Sequence, residues 1–175
     1  MRYTFQQLVL ALSSALALIA VFLVANARAQ SVTVQAMRNA SAEAGFSDVL
    51  KKANVTLNFE TAKTTDTLGI VAIKEHWAAS LNQRGSAIMG AIYTQRPLTK
   101  IEARPGFYVV QARKTDRGTE WLLLKGDGSP ATKPIQVRIE TLRREIPIPT
   151  ALMVEGAPDR CCFEDDSVRH CGDCS

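Results

Sequence analysis

Residues 101–125 contain the feature that most constrains how this chain can fold. Two runs rich in aromatic and aliphatic residues, 107–112 and 121–124, flank a short polar segment that contains Gly118. Two such runs joined by a short segment with a glycine are typical of a β-hairpin. The domain is therefore predicted to be built on an antiparallel sheet that contains this hairpin.

The predicted hairpin is apolar on both of its faces. Side chains alternate across a strand, so Phe107 and Val109 point to one face while Tyr108 and Val110 point to the other. Such a strand must be covered on both sides, by a second sheet, a helix or a partner chain. We therefore expect the hairpin to lie in the middle of a sandwich or of a small, partly open barrel.

The remaining pattern predicts a mainly antiparallel β domain of the α+β class, with about seven or eight strands and two short helices. Apolar residues at helical spacing predict helices at 41–53 and 74–84, and Gly85 would cap the end of the second helix. Gly90 is expected to cause a bulge, and Ile139 is expected to point into the core. Strands other than those of the hairpin are predicted at 31–37, 55–59, 68–73, 86–94 and 134–142.

Residues 1–29 are predicted to be a cleaved signal peptide. The basic residue Arg2 precedes an uncharged stretch at 8–24, and Ala27-Arg28-Ala29 then matches a signal-peptidase cleavage pattern. An uncleaved membrane anchor is the alternative, because the apolar run at 8–24 has 17 residues, near the lower limit for crossing a bilayer. Cleavage would give a secreted or periplasmic protein without a membrane segment.

Composition divides the rest of the chain into three predicted parts. Residues 30–145 are expected to form the β-rich globular domain, 146–158 a proline-containing linker or edge strand, and 159–175 an acidic, cysteine-bearing tail. Loss of the two arginines in the signal peptide leaves 19 basic residues against 17 acidic residues, a net charge of +2. That charge is too small to indicate a nucleic-acid partner.

All four cysteines lie in the tail, as the neighbours Cys161 and Cys162 and the pair Cys171 and Cys174. In an exported chain they predict two disulfides. A bridge between direct neighbours would be strained, so we expect both bridges to join the first pair to the second and to fold the tail into a small knob. The alternative is a site in which the four thiolates bind zinc or an iron–sulfur cluster. The adjacent cysteines, however, do not have the two-residue spacing of a zinc knuckle.

The sequence contains no recognisable catalytic constellation. Glu75 and His76 are the only pair of residues that suggests a hydrolase site. Neighbours in a helix, however, point in different directions. A partly exposed surface histidine is therefore the simpler interpretation. The acidic run Glu164-Asp165-Asp166 does not have the ligand spacing of a calcium loop. We expect this run to be solvated.

These observations favour an exported, non-enzymatic binding or structural protein of the cell envelope or extracellular space. The expected partner is an envelope or extracellular protein or a glycan, and no cofactor is predicted. The alternative function is metal binding or thiol redox chemistry, which the tail would carry on Cys161, Cys162, Cys171 and Cys174.

Overall fold

The computed structural model describes residues 32–154 and 157–174, so the predicted signal peptide lies outside the described residues. The described part contains three short helices, which are α1 (Val34–Glu43), α2 (Ser47–Ala53) and α3 (Ala78–Arg84). None of these helices combines the length and the apolar character that a bilayer-crossing segment needs. The strands of the described part are β1 (Lys63–Thr64), β2 (Leu68–Ala72), β3 (Ser86–Thr94), β4 (Gly106–Thr115), β5 (Gly118–Leu124), β6 (Ile135–Gln136), β7 (Arg138–Val154) and β8 (Ala157–Asp173).

The first six strands form one antiparallel sheet, in which neighbours along the chain are also neighbours in space. The predicted hairpin is β4–β5, and its pairing runs from Val109 opposite Leu124 to Thr115 opposite Gly118. The hairpin and the mainly antiparallel α+β class are therefore confirmed, although the structure has three short helices where two were predicted.

One face of this sheet packs against α1 and α2. Phe46, which lies in the turn between the two helices, contacts Phe107 of β4 with ring centroids 5.2 Å apart. Met37 of α1 is fully buried and lies directly over Gly69 of β2, where a Cβ atom would overlap the methionine sulfur. The helices and the sheet can approach this closely because the strand has a glycine at the contact.

The opposite face packs against a two-stranded ribbon formed by β7 and β8. Phe163 of β8 is fully buried and meets Trp121 of β5 edge to face, with ring centroids 5.4 Å apart. The Phe163 ring also lies over Gly90 of β3, where a Cβ atom would overlap it. Gly90 follows a register shift at Ile88, so the predicted bulge is confirmed. Both faces of the central hairpin are thus covered within this chain.

Strand β8 bends in its middle, at Asp166, so that its two arms lie beside each other. Two disulfides join these arms, one between Cys161 and Cys174 and the other between Cys162 and Cys171. Both bridges run from the vicinal pair to the second pair, which confirms the pairing pattern predicted from the sequence.

The proline-containing segment and the cysteine-bearing tail pack together with the rest of the described domain. Residues 146–154 belong to β7, where Ile146 pairs with Asp166 and Ala151 pairs with Phe163. Cys161 is completely buried, and residues from 32 onward form one compact unit. The tail is part of the core and not a knob, because it supplies the apolar surface that the second face of the sheet requires.

Two predicted elements near the start of the domain differ from the structure. A strand is predicted at 31–37, but within the described residues, 34–37 are the start of α1. Thr33 caps this helix by accepting a hydrogen bond of 3.1 Å from the Ala36 N–H. The helix expected at 41–53 is divided between α1 and α2, because Gly45 adopts a left-handed conformation with φ of 72° between them. The short alternation of apolar residues favoured a strand, but the N-terminal cap and the packing of α1 on the sheet stabilise a helix instead.

Further along the chain, the strand predicted at 55–59 is reduced to one bridge between Leu57 and Ile73. Ile139 is 49% exposed and does not point into the core, because it lies on the outer side of the ribbon. Gly85, with φ of 72°, ends α3 as predicted.

Replacement of the buried aromatic residue of the ribbon tests whether the tail is a structural layer. We expect Phe163→Ala to lower the free energy of unfolding by about 3–5 kcal/mol, because it leaves a cavity against Trp121 and Gly90. Ile148→Ala is the matched control, since Ile148 lies in the same ribbon but is 53% exposed, and its effect should stay within about 0.5 kcal/mol. Urea denaturation followed by tryptophan fluorescence measures both. Equally small changes in the free energy of unfolding of the two variants would contradict the conclusion that the tail is a structural layer.

Candidate functional site

The candidate site lies where the bend of β8 meets the amino-terminal end of α3. The Cys162–Cys171 disulfide closes residues 163–170 into a loop that is held against the sheet by Phe163. This loop carries most of the ionisable side chains of the tail, which are Glu164, Asp165, Asp166, Arg169 and His170.

Asp165 is the buried acid of the site, and its side chain has no exposed surface. One carboxylate oxygen accepts hydrogen bonds from the backbone N–H groups of Trp77 (2.5 Å) and Ala78 (2.7 Å), at the start of α3. The other oxygen lies 2.5 Å from Nδ1 of His76. A buried carboxylate requires such donors, so Asp165 caps α3 and orients the histidine at the same time.

His76 is the accessible member of the site, with 47% of its side chain exposed. Its Nδ1 atom also lies 3.2 Å from a carboxylate oxygen of Asp166. The hydrogen bond to Asp165 raises the pKa of His76 above the usual 6.5, burial opposes this shift, and the charges of Asp165 and Asp166 add to it. The imidazole is therefore oriented and held by two acids from a distant part of the chain.

The structure does not form the Glu75–His76 pair considered from the sequence. The Glu75 carboxylate accepts a hydrogen bond of 2.8 Å from the Thr56 N–H and so points away from the histidine. Asp165 takes the position of acidic partner instead. A buried aspartate that orients a histidine through Nδ1 is an arrangement found in general-base catalysis, and carboxylate and imidazole together also suit a metal ion.

A cavity of about 390 Å³ opens beside His76, between α2, α3 and the sheet. Its wall includes hydrogen-bonding groups of several kinds, together with the apolar side chains of Ala87 and Ile88. The polar lining side chains include Asn54, Glu75, His76, Ser80, Arg84 and Gln111. A concave surface with a few convergent polar groups is the usual form of a small-ligand site.

The acidic run was predicted to be solvated, and this prediction is wrong for two of its three residues. Glu164 is 2% exposed and forms an ion pair of 2.5 Å with Arg169, while Asp165 is fully buried. Arg144 lies 3.7 Å from the second oxygen of Glu164. Only Asp166 is half exposed, with 51% of its side chain accessible. The charges are tolerated because Glu164 has two arginine partners and Asp165 accepts hydrogen bonds at the start of α3.

The four cysteines form two disulfides, and none of their sulfur atoms is left as a thiolate. Metal ligation by cysteine requires the thiolate form. The pairing therefore argues against a zinc ion or an iron–sulfur cluster on Cys161, Cys162, Cys171 and Cys174.

His170 is the second histidine of the chain and is 3% exposed. Its ring meets Trp77 edge to face, with centroids 4.9 Å apart, and its Nδ1 atom has no hydrogen-bond partner among the described residues. Burial, with a smaller contribution from the charge of Lys114, lowers the pKa of His170 to about 4. His170 therefore stays neutral where His76 is readily protonated.

Sequence reasoning singled out His76 but missed Asp165, which lies 89 positions further along the chain. No local pattern links two such distant residues. The one available signal was the position of three acids between Cys162 and Cys171, since a bridge between these cysteines presents the intervening residues as a closed loop.

No protein-family model matches the chain, and neither a curated protein nor a solved structure shows a significant match to it.

The two histidines are expected to give stability opposite dependences on pH. The unfolded chain protonates His170 near pH 6.5, whereas the folded chain does so only near 4, so this residue should lower stability by about 3 kcal/mol between pH 7 and pH 4. We expect His170→Phe to remove this loss of stability between pH 7 and pH 4, as measured by urea denaturation at a series of pH values.

The matched control for this measurement is His76→Gln. Because the folded-state pKa of His76 is raised, its contribution is fully present below about pH 6.5 and is lost as pH rises through the folded pKa. His76→Gln should therefore lower the free energy of unfolding in acid and keep the loss of stability that His170 causes. If His170→Phe loses as much stability as the wild type between pH 7 and pH 4, the assignment of this loss to His170 is contradicted.

Proposed function

We propose that this chain is an exported, non-enzymatic binding protein of the cell envelope or extracellular space, and that its ligand occupies the cavity beside α3. The observation that carries the proposal is the cavity of about 390 Å³ with convergent polar groups and an oriented histidine at its wall. The signal-like pattern of residues 1–29 supports export, and two disulfides are typical of oxidising compartments.

The lining of the cavity favours a small ligand with several hydroxyl or amide groups. Arg84 supplies a cation and Glu75 an anion, while Ser80 and Gln111 supply neutral donors and acceptors. A volume near the lower end of the usual range for ligand sites suits one or two sugar rings or a short peptide segment. A glycan or a segment of an envelope protein is therefore the proposed partner.

The buried disulfides support a structural role for the tail and not a redox function. Cys161 and Cys162 have no exposed surface, and Cys171 and Cys174 are 5% and 1% exposed. Thiol–disulfide exchange needs access for an attacking thiolate. The alternative of redox chemistry or metal binding on these four residues is thus less well supported than a structural role.

A second candidate function is hydrolysis, with His76 as general base. The observation that favours it is the 2.5 Å contact between His76 Nδ1 and the buried carboxylate of Asp165, which leaves the other ring nitrogen for proton transfer. Within the described residues, however, no serine, threonine or cysteine forms a hydrogen bond with His76. Binding without turnover is therefore the better-supported proposal.

A substitution that fills the cavity tests the proposed ligand site. We expect Ser80→Tyr to weaken binding by at least about tenfold, or 1.4 kcal/mol, because the ring would occupy space lined by Ser80. Ala79→Tyr is the matched control, since Ala79 is the exposed neighbour on the same helix and does not line the cavity. Saturation-transfer NMR with a panel of neutral mono- and disaccharides and short peptides measures the binding.

The wild-type protein and the Ala79→Tyr control should bind the same compound, and the compound should remain intact over a day. Absence of binding by any member of the panel would count against the proposed ligand class, and equal binding by Ser80→Tyr would exclude this cavity. Conversion of the compound that stops in His76→Gln would favour the hydrolase candidate.

A further inference from the structure

We propose that His76, Asp165 and Asp166 form a binding site for one divalent transition-metal ion, for which Zn²⁺ is the reference ion. One ligand atom from each residue can be chosen so that all three atoms lie within 4.8 Å of one another. The histidine lies two residues before α3 and the acids lie at the bend of β8, so the site exists only in the folded chain.

The donor set has the composition that such ions prefer. One imidazole nitrogen and two carboxylate oxygens bind Zn²⁺ at about 2.0–2.2 Å, and three protein ligands leave a fourth position open for water or for a ligand. Hard ions such as Ca²⁺ and Mg²⁺ favour sites made of oxygen alone. The presence of His76 therefore selects a transition metal over these ions.

The ligand atoms lie close enough together for one ion, and the separation between His76 and Asp166 already matches that around a bound Zn²⁺ ion. Ligand atoms bound to the same Zn²⁺ ion are about 3–3.4 Å apart at those bond lengths. Nδ1 of His76 lies 3.2 Å from Asp166 and 2.5 Å from Asp165, so the second separation would have to widen slightly. The half-exposed His76 ring can make this movement, while Asp165 stays in place. The ion would replace the proton that Nδ1 shares with Asp165, and this proton would be released to water.

The charges of the cluster also favour a cation. Two acidic side chains face one imidazole, so acidic groups are in excess in the cluster. The arginine nearest in the loop, Arg169, pairs with Glu164 and Glu140 and not with either aspartate. In the described part of the chain, no lysine or arginine forms an ion pair with Asp165 or Asp166. A divalent ion would neutralise this excess.

The scaffold holds the two acids in position before an ion binds. The backbone N–H groups of Trp77 and Ala78 fix the Asp165 carboxylate, and the Cys162–Cys171 disulfide closes the loop that carries both aspartates. Partners of this kind orient metal ligands and raise affinity, because fewer groups must be ordered on binding.

Zinc binding to the exported protein with both disulfides intact tests the proposal. We expect isothermal titration with ZnCl₂ alone, in a buffer that does not bind metals, to show one ion per chain. Asp166→Asn should weaken binding by at least about tenfold, because it replaces one ligand. Asparagine accepts the left-handed conformation of Asp166, which has φ of 50°, so the fold should be kept. Asp165 is left unchanged because its loss would also remove the cap of α3.

Asp173→Asn is the matched control, since Asp173 is an exposed acid of the same strand outside the cluster, and its affinity should stay within about twofold of the wild type. His76→Gln should weaken binding as Asp166→Asn does. Substitution of Co²⁺ for Zn²⁺ should give visible absorption bands that both cluster variants lose. Circular dichroism and melting curves confirm that each variant is folded.

Absence of stoichiometric binding up to about 1 mM Zn²⁺ would overturn the proposal, as would equal affinities in the wild type, Asp166→Asn and His76→Gln. The metal site does not depend on the ligand of the cavity, and the two are tested separately. Zinc binding that needs His76 and Asp166 supports this site even if no sugar or peptide binds. If zinc does not bind, the Ser80→Tyr experiment still tests whether the cavity binds a ligand.

Discussion

A sheet that is apolar on both faces needs a layer on each side, and this requirement organises the whole domain. Uncovered, either face would leave apolar surface in water at a cost of roughly 25 cal/mol per Å². α1 and α2 cover one face through Met37 and Phe46, and the β7–β8 ribbon covers the other through Phe163. The carboxyl-terminal tail is therefore a layer of the core, and its disulfides stabilise that layer from within.

Placement of an acidic tail in the core brings charges into an apolar region. Glu164 is neutralised by Arg169, and Asp165 by hydrogen bonds from the start of α3 and from His76. These contacts keep the buried charges paired. They also connect the ribbon to the helix, so that the bend of β8 holds the only half-exposed histidine described in the chain at the wall of a cavity. The candidate site is thus a consequence of how the second face of the sheet is covered.

The parts of the fold with strong local signals could be predicted. The β4–β5 hairpin, the bulge at Gly90 and the end of α3 at Gly85 each depend on residues within a few positions of one another. The pairing pattern of the disulfides followed from the strain of a bridge between neighbours. The prediction at 31–37 failed because a short alternation of apolar residues fits the start of a helix as well as a strand, and packing of Met37 on Gly69 decided between them.

The sequence by itself determined the antiparallel β core, the need to cover both of its faces, and the crosslinking of the tail, because each follows from the alternation, turn chemistry or spacing of nearby residues. Only the tertiary structure decided which segment covers the second face and which acid meets His76. That histidine and Asp165 are separated by 89 positions, and residues so far apart come together through the packing of whole layers, which no local pattern encodes.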